Sequence, residues 1–281
     1  MADRWRRLRV QLDTALDRWW LTRMARRAAA GFSEHQGGQL AAAMAYYAIL
    51  SLFQLVVLGV VVFSLALGEG QARDLFVDRV AAVAPLDRET ITQVVDGVIQ
   101  GRGGIGVVSV ALLAWGAKGF FGALAIGIRR AIPGTASTFW RDRAIDLLLL
   151  VGAAGLAAVA MLIGLVSGLV GDLVGAGLSV ALVFASLALL YRVVPRRPMS
   201  LGQVWHGALV ATLLWTALRM GFSWYATDVA RYETFFGPIS AAIGLLVFLY
   251  LASVTVLIGA EISRAVVLDE DGRRLTMGRP V

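Results

Sequence analysis

Apolar positions along this chain fall into long unbroken blocks, not into a two-residue or 3.6-residue alternation. The blocks run over 38–67, 104–128, 146–170, 174–191, 204–222 and 238–260, each about 20 residues or more, enough for a helix to cross a hydrocarbon core. The fourth is the shortest, and 171–177 reads as a tight turn before it. The predicted fold class is therefore all-α: a polytopic membrane protein with about six transmembrane helices.

Between the blocks the pattern changes. Ahead of the first, Trp5, Leu8, Leu12, Leu16 and Trp19 recur at helical spacing while Arg4, Arg7, Arg18 and Arg23 mostly take other faces, the signature of an interfacial helix lying on the membrane. The loop over 68–103 carries Leu75, Phe76, Val80 and Val83 before Pro85, then Ile91, Val94, Val95, Val98 and Ile99 after it. Two amphipathic helices split at Pro85 fit this spacing, with Asp87 as N-cap of the second. The expected organisation is a basic cytoplasmic helix over 1–37, a six-helix transmembrane bundle over 38–263, and a cytoplasmic tail over 264–281.

Composition places the chain in the membrane class: 58% of residues are hydrophobic and mean hydropathy is +0.74, above a soluble domain. Charge then orients it. Residues 1–37 hold eight arginines, 129–145 four, 192–203 three and the tail four, whereas the loop over 68–103 sets four against six acids. Positive charge collects on the cytoplasmic side, so both termini are expected there. The same asymmetry accounts for a pI of 10.5 without a nucleic-acid partner. The charged first 25 residues lead to the expectation of no cleavable signal peptide, the first span itself directing insertion. The absence of cysteine removes disulfides, thiolate metal sites and thiol nucleophiles together.

Candidate chemistry centres on Lys118, the sole lysine among 26 basic residues, set inside the second apolar block. It lies about 15 Å from Ile128 at helical rise. An intramembrane ammonium either snorkels into a structural ion pair or binds an anionic group. Tyr47 in the first block, His206 early in the fifth and Glu261 at the end of the sixth are expected in the same cytoplasmic half, where convergence would make a polar pocket. Tyr47, Ser51 and Gln54 share one helix face, and Trp205, Thr212, Thr216 and Arg219 another. Polar stripes face protein or a watery cavity because hydrocarbon cannot hydrogen-bond them. His206 also fits an ordinary hydrogen-bonded interfacial histidine. Glu261 fits either a helix end among headgroups or a partner of Lys118 or an arginine. Arg219, Trp224 and Tyr225 read as an outer-interface belt. Gly164 and Gly168, then Gly171 and Gly175, are small residues four apart, the spacing of close helix packing. The glycines over 101–106 read as a flexible entry to the second span. No phosphate-cradling loop or paired-histidine zinc motif is present, and His35 and His206 are the only histidines, so no cofactor or metal is expected.

Two stretches, LAAAMAYYAILSLFQL near the start of the first block and the run from Trp205 to Ser263, carry a resemblance, over about residues 35 to 265, to the YihY and BrkB family of bacterial inner-membrane proteins. LAAAMAYYAILSLFQL, Leu40 to Leu55, is similar to the family's Leu-Ala-x-x-x-Ala-Tyr-x-x-Leu-Ser-Leu-x-Pro-Leu pattern. The stretch from Trp205 to Ser263 ends in the family's Gly-Ala-Glu at Gly259, Ala260 and Glu261. Gln54 stands where the family usually has proline, Phe236 where it has tyrosine and Ser263 where asparagine is common. The resemblance implies about six spans and an inner-membrane location. Some members have carried a ribonuclease BN label and others a serum-resistance or virulence label.

The leading expectation is a transporter or translocator of lipid or another amphiphile, with a cytoplasm-facing polar cavity. Lys118 would contact an anionic headgroup or solute, Tyr47 and Gln54 would line the cavity, and Glu261 would be the counter-charge. Membrane lipids are then the expected partners. The alternative is a non-transporting scaffold of an envelope complex, acting through the basic N-terminal helix and the tail. A membrane ribonuclease is disfavoured because the cytosolic segments offer arginines and scattered acids, with no metal cluster or acid–base pair; no enzymatic activity is expected.

Overall fold

The computed structural model describes residues 20–81, 88–132, 134, 172–197, 199–225 and 233–276, with isolated positions between 140 and 152. The described chain runs α1 (Trp20–Glu34), α2 (Gly37–Leu67), α3 (Glu69–Ala81), α4 (Arg88–Gln100), α5 (Arg102–Ala131), α6 (Asp172–Val193), α7 (Leu201–Trp224) and α8 (Glu233–Thr276). No strand occurs among the described residues. Among the described residues, five segments are long and apolar enough to cross a membrane: Gly37–Ala66, Arg102–Ala131, Val174–Val193, Leu201–Trp224 and Ala242–Glu270. Helix is the form such segments take, since in hydrocarbon the backbone can satisfy its own N–H and C=O groups only internally. Their outward residues are greasy, with Phe53 65%, Leu65 69% and Val107 72% exposed, as a lipid-facing surface requires and a water-facing one avoids. The protein is an all-α polytopic membrane protein.

Most of the block at 146–170, the amphipathic stretch from Trp5 to Trp19, Pro85, Asp87, Gly164, Gly168 and Gly171 lie outside the described residues. Three expected boundaries move. The turn expected over 171–177 is helical from Asp172, through Gly175 and Gly177; an acid at the first position suits the positive end of the helix dipole. The glycines over 102–106 open α5 instead of forming a flexible entry. Gly101 N donates to Gly97 O at 3.0 Å and Gly101 O accepts from Ile105 N at 2.9 Å, so the backbone bonding runs on through them. The tail expected from 264 is helical to Thr276 as the continuation of α8.

Two compact units are present. The first comprises Met1–Leu40, Leu124–Thr216 and Val254–Val281, the second Ala41–Ala123 and Ala217–Ser253. In the second, the loop expected to form a helical pair does so. Val77 of α3 and Ile91, Val95 and Ile99 of α4 are buried together with Val60 of α2, and Phe76 and Val98 pack against them. Val94 departs from the expected buried face and is exposed, since it falls between the i, i+4, i+8 positions that α4 turns inward. Arg73 bonds Asp96 at 2.6 Å and Arg102 pairs with Glu69; such exposed pairs contribute about 0–1 kcal/mol each. Gly68, at φ +90°, supplies the left-handed residue that lets α3 follow α2 directly.

In the first unit, α7 and the C-terminal half of α8 touch through their small residues. A Cβ on Gly207 would overlap Gly259 O and Ser263 Oγ, and one on Gly259 would overlap the Tyr191 hydroxyl and stand 2.7 Å from Ala211 Cβ. Tyr191 is fully buried and donates its hydroxyl to Val256 O at 2.7 Å. The end of α8 is held on the same unit: Ala265 and Val266 pack on Met24, Asp269 pairs with Arg27 at 3.6 Å, and Gln203 Nε2 donates to Glu270 Oε2 at 2.8 Å. The close crossing leads to an expectation. Gly207→Leu destabilises the protein by at least about 1–3 kcal/mol, read by thermal unfolding in detergent, while Gly221→Leu, at a position with no atom within 4 Å of an added Cβ, changes little. Equal unfolding temperatures for the two variants would refute the crossing.

Candidate functional site: a buried carboxylate at a helix corner

Between α1 and α2 the chain turns on one residue. His35 N donates to Gly31 O at 2.8 Å, and Gln36 N to Ser33 O at 3.2 Å, closing α1. Gln36 O then accepts from Gln39 N and Leu40 N at 3.0 and 3.1 Å, opening α2. Gln36 is at φ 58°, a left-handed conformation that costs a side-chain-bearing residue about 1–2 kcal/mol. Gly37 follows because a Cβ there would overlap the Phe32 ring. This corner places His35 against α8, where its Nδ1 lies 2.6 Å from Glu261 Oε1. With Glu261 ionised, the carboxylate only accepts and Nδ1 carries the hydrogen of that bond.

Glu261 is 3% exposed, inside the span Ala242–Glu270. Its second oxygen, Oε2, is buried and has no hydrogen-bond partner among the described residues. It pairs with Arg264, one turn along α8, whose Nη1 stands 3.7 Å away: an ion pair without a hydrogen bond. Gly31 of α1 makes room for this group, since a Cβ there would overlap Oε2 and stand 2.9 Å from the Arg264 guanidinium. Arg264 in turn lines a cavity of about 100 Å³ with Arg197, Ile132, Val267 and Leu268, large enough for a few waters. A carboxylate held on one oxygen and loosely paired on the other can release a guanidinium to an incoming anion.

The residues singled out in the sequence divide between the two units. In the second, Tyr47 and Ser51 lie on the glycine face of α5. A Cβ on Gly119 would overlap the Tyr47 ring and one on Gly116 would overlap Ser51 Oγ, and Tyr47 packs edge-on to Trp115 with centroids 5.7 Å apart. Gln54 is 7% exposed. Lys118 is exposed and makes no hydrogen bond or ion pair among the described residues, a placement that frees its ammonium to reach outward. In the first unit, Thr212 and Thr216 donate to Ala208 O and Thr212 O, 2.7 and 2.8 Å within their own helix. Their donors are thereby spent on backbone. The His206 ring lies beside that of its chain neighbour Trp205, centroids 4.2 Å apart and planes tilted by 45°. Gly175 is buried, its carbonyl accepting from Ser179 Oγ at 2.8 Å. Of the alternatives open for Glu261, an arginine neighbour is present, in Arg264. His35, its hydrogen-bond partner, carries no sequence signal beyond being one of two histidines next to the first span. Gly207 with Ala211, and Gly259 with Ser263, do carry one, the four-residue spacing of small residues.

Comparison with known proteins places this architecture. A family model described as virulence factor BrkB matches residues 28–278. The chain belongs to that family. Among curated relatives, it is similar to a UPF0761 membrane protein of Rhodospirillum rubrum, 40% identical over 91 residues, 32% of this chain and 21% of the relative. A UPF0761 membrane protein of Xanthomonas campestris pv. campestris is 36% identical over 83 residues, 30% and 20% of the two chains. One of Alkalilimnicola ehrlichii is 36% identical over 99 residues, 35% and 22%. The chain thus matches about a fifth of the length of these curated relatives. No solved structure matches.

The buried pair makes a sharp expectation. His35→Ala leaves a buried carboxyl oxygen without its hydrogen bond and costs about 1–3 kcal/mol. Combining it with Glu261→Leu recovers most of that loss, because the unsatisfied oxygen is gone. Reversible denaturation in mixed micelles reads both; a double variant no more stable than His35→Ala would show that the pair does not hold Glu261.

Proposed function

We propose that the protein is a multi-pass inner-membrane translocator of an anionic amphiphile or solute, with both termini cytoplasmic and a sixth span over 146–170. The observation that most supports this is Glu261: a carboxylate in a span, bonded on one oxygen to His35 and loosely paired on the other with an arginine that lines a cavity. Ionisable groups at membrane depth are costly and mark pathways. In this reading Glu261 is the resident counter-anion of Arg264. An incoming anionic headgroup takes the guanidinium, His35 keeps its hydrogen bond to the displaced carboxylate, and release of the cargo restores the pair. Arg197 adds a second guanidinium at the same cavity, so a planar anion can be met from two sides. Lys118 acts as a separate collecting charge on the second unit.

Reconstitution into liposomes with a fluorescent anionic phospholipid, followed by a membrane-impermeant quencher, tests the reading. Wild type speeds exchange between leaflets, and Arg264→Gln slows it about tenfold, the loss of one charge-assisted hydrogen bond. Wild-type rates equal to those of protein-free liposomes, for lipid and for small anions alike, would reject translocation. Lys118→Met with unchanged rates would remove that residue from the pathway.

A scaffold role has one observation in its favour: α1 buries Met24, Ala28 and Gly31 and leaves Arg26 and Arg27 exposed, a cationic face turned outward. Arg26→Gln would then abolish function in cells while leaving liposome rates intact. Orientation is tested by single cysteines, since the chain has none. A cysteine at Gln93 labels from the outer side and one at Arg130 only after permeabilisation; the reverse result would invert the topology.

A further inference from the structure

Arg141 and Arg192 line a second cavity of the first unit, about 370 Å³, completed by Ile145, Val193 and Met199. That volume falls in the range of small-molecule sites. Ile145 and Met199 are buried and Val193 half-buried, whereas both arginines are exposed, so a cationic rim stands over an apolar floor. No carboxylate lines it among the described residues. Its depth is set by α6: Val193 ends the span Val174–Val193, which puts Arg192 where hydrocarbon gives way to headgroups. Trp140, beside Arg141 and 79% exposed, is the side chain that collects at that level.

The end of α6 does not need Arg192. Arg129 Nε donates to Val194 O at 3.4 Å and Arg141 Nη2 to Pro195 O at 3.3 Å, so two other arginines already serve carbonyls just past the helix end. Arg192 itself has no hydrogen bond or ion pair among the described residues. Arg141 is held by one edge of its fork, which leaves further N–H groups to donate.

We propose that this cavity binds a phosphate group between Arg192 and Arg141, with Ile145, Val193 and Met199 covering the adjoining apolar part of an anionic phospholipid. None of these residues belongs to the Glu261 site, so this binding stands or falls separately from translocation.

Native mass spectrometry of protein released from mixed phosphatidylcholine–phosphatidylglycerol nanodiscs tests it. Wild type retains phosphatidylglycerol, and Arg192→Gln retains about tenfold less while melting at the wild-type temperature in pure phosphatidylcholine. If that variant melts early, Arg192→Lys, which keeps the charge but loses the fork, replaces it and retains an intermediate amount. Inorganic phosphate titrated into pure phosphatidylcholine nanodiscs separates the sources: stabilisation of wild type and not of the variant assigns the site to the free ion, and no response assigns it to the lipid. Equal phosphatidylglycerol retention in wild type and variant, with no response to phosphate, would overturn the proposal.

Discussion

Hydrocarbon offers no hydrogen bonds, and that constraint shapes each part of this molecule. The backbone answers it by running as long helices, and the glycines of α5 and α6 are helical for that reason, although in water they would read as loops. Side-chain hydroxyls answer it locally. Thr212, Thr216, Ser179, Ser186, Ser253 and Ser263 all donate to the carbonyl four residues back. A polar stripe on such a helix is therefore compatible with tight packing and does not by itself mark a cavity.

With no hydrophobic drive to bring helices together in lipid, close contact rests on small residues. Gly207 and Gly259 let α7 and α8 meet, and the space their missing Cβ atoms leave is filled by Tyr191, Ala211 and Ser263. Gly116 and Gly119 do the same for α2 and α5 beneath Ser51 and Tyr47. Gly31 is the exception that matters chemically. It admits a carboxylate and a guanidinium in place of another backbone, and so allows Glu261 to be buried where it can still reach Arg264.

Arginine is used in two ways in the first unit. Arg129 and Arg141 serve carbonyls past the end of α6, Arg130 donates to Gln36 at the corner at 3.2 Å, and Arg27 pairs with Asp269; these are structural. Arg264, Arg197 and Arg192 line cavities, and Arg141 does both. The fork of five donors makes the same residue suited to both tasks.

The sequence by itself determined the membrane class, the long apolar helices, the helical pair between α2 and α5, and the family, because block length, amphipathic spacing and the Gly-Ala-Glu ending are local properties of the chain. Tertiary structure alone decided what those residues do. Glu261 and His35 are separated by 226 positions, and no spacing rule couples them; only the left-handed turn at Gln36 and the absence of a side chain at Gly31 bring them to hydrogen-bonding distance. Likewise Tyr47 and Ser51 do share a face, as their spacing requires, yet that face meets the glycines of α5. Periodicity tells which side chains point the same way, and only packing tells what they point at.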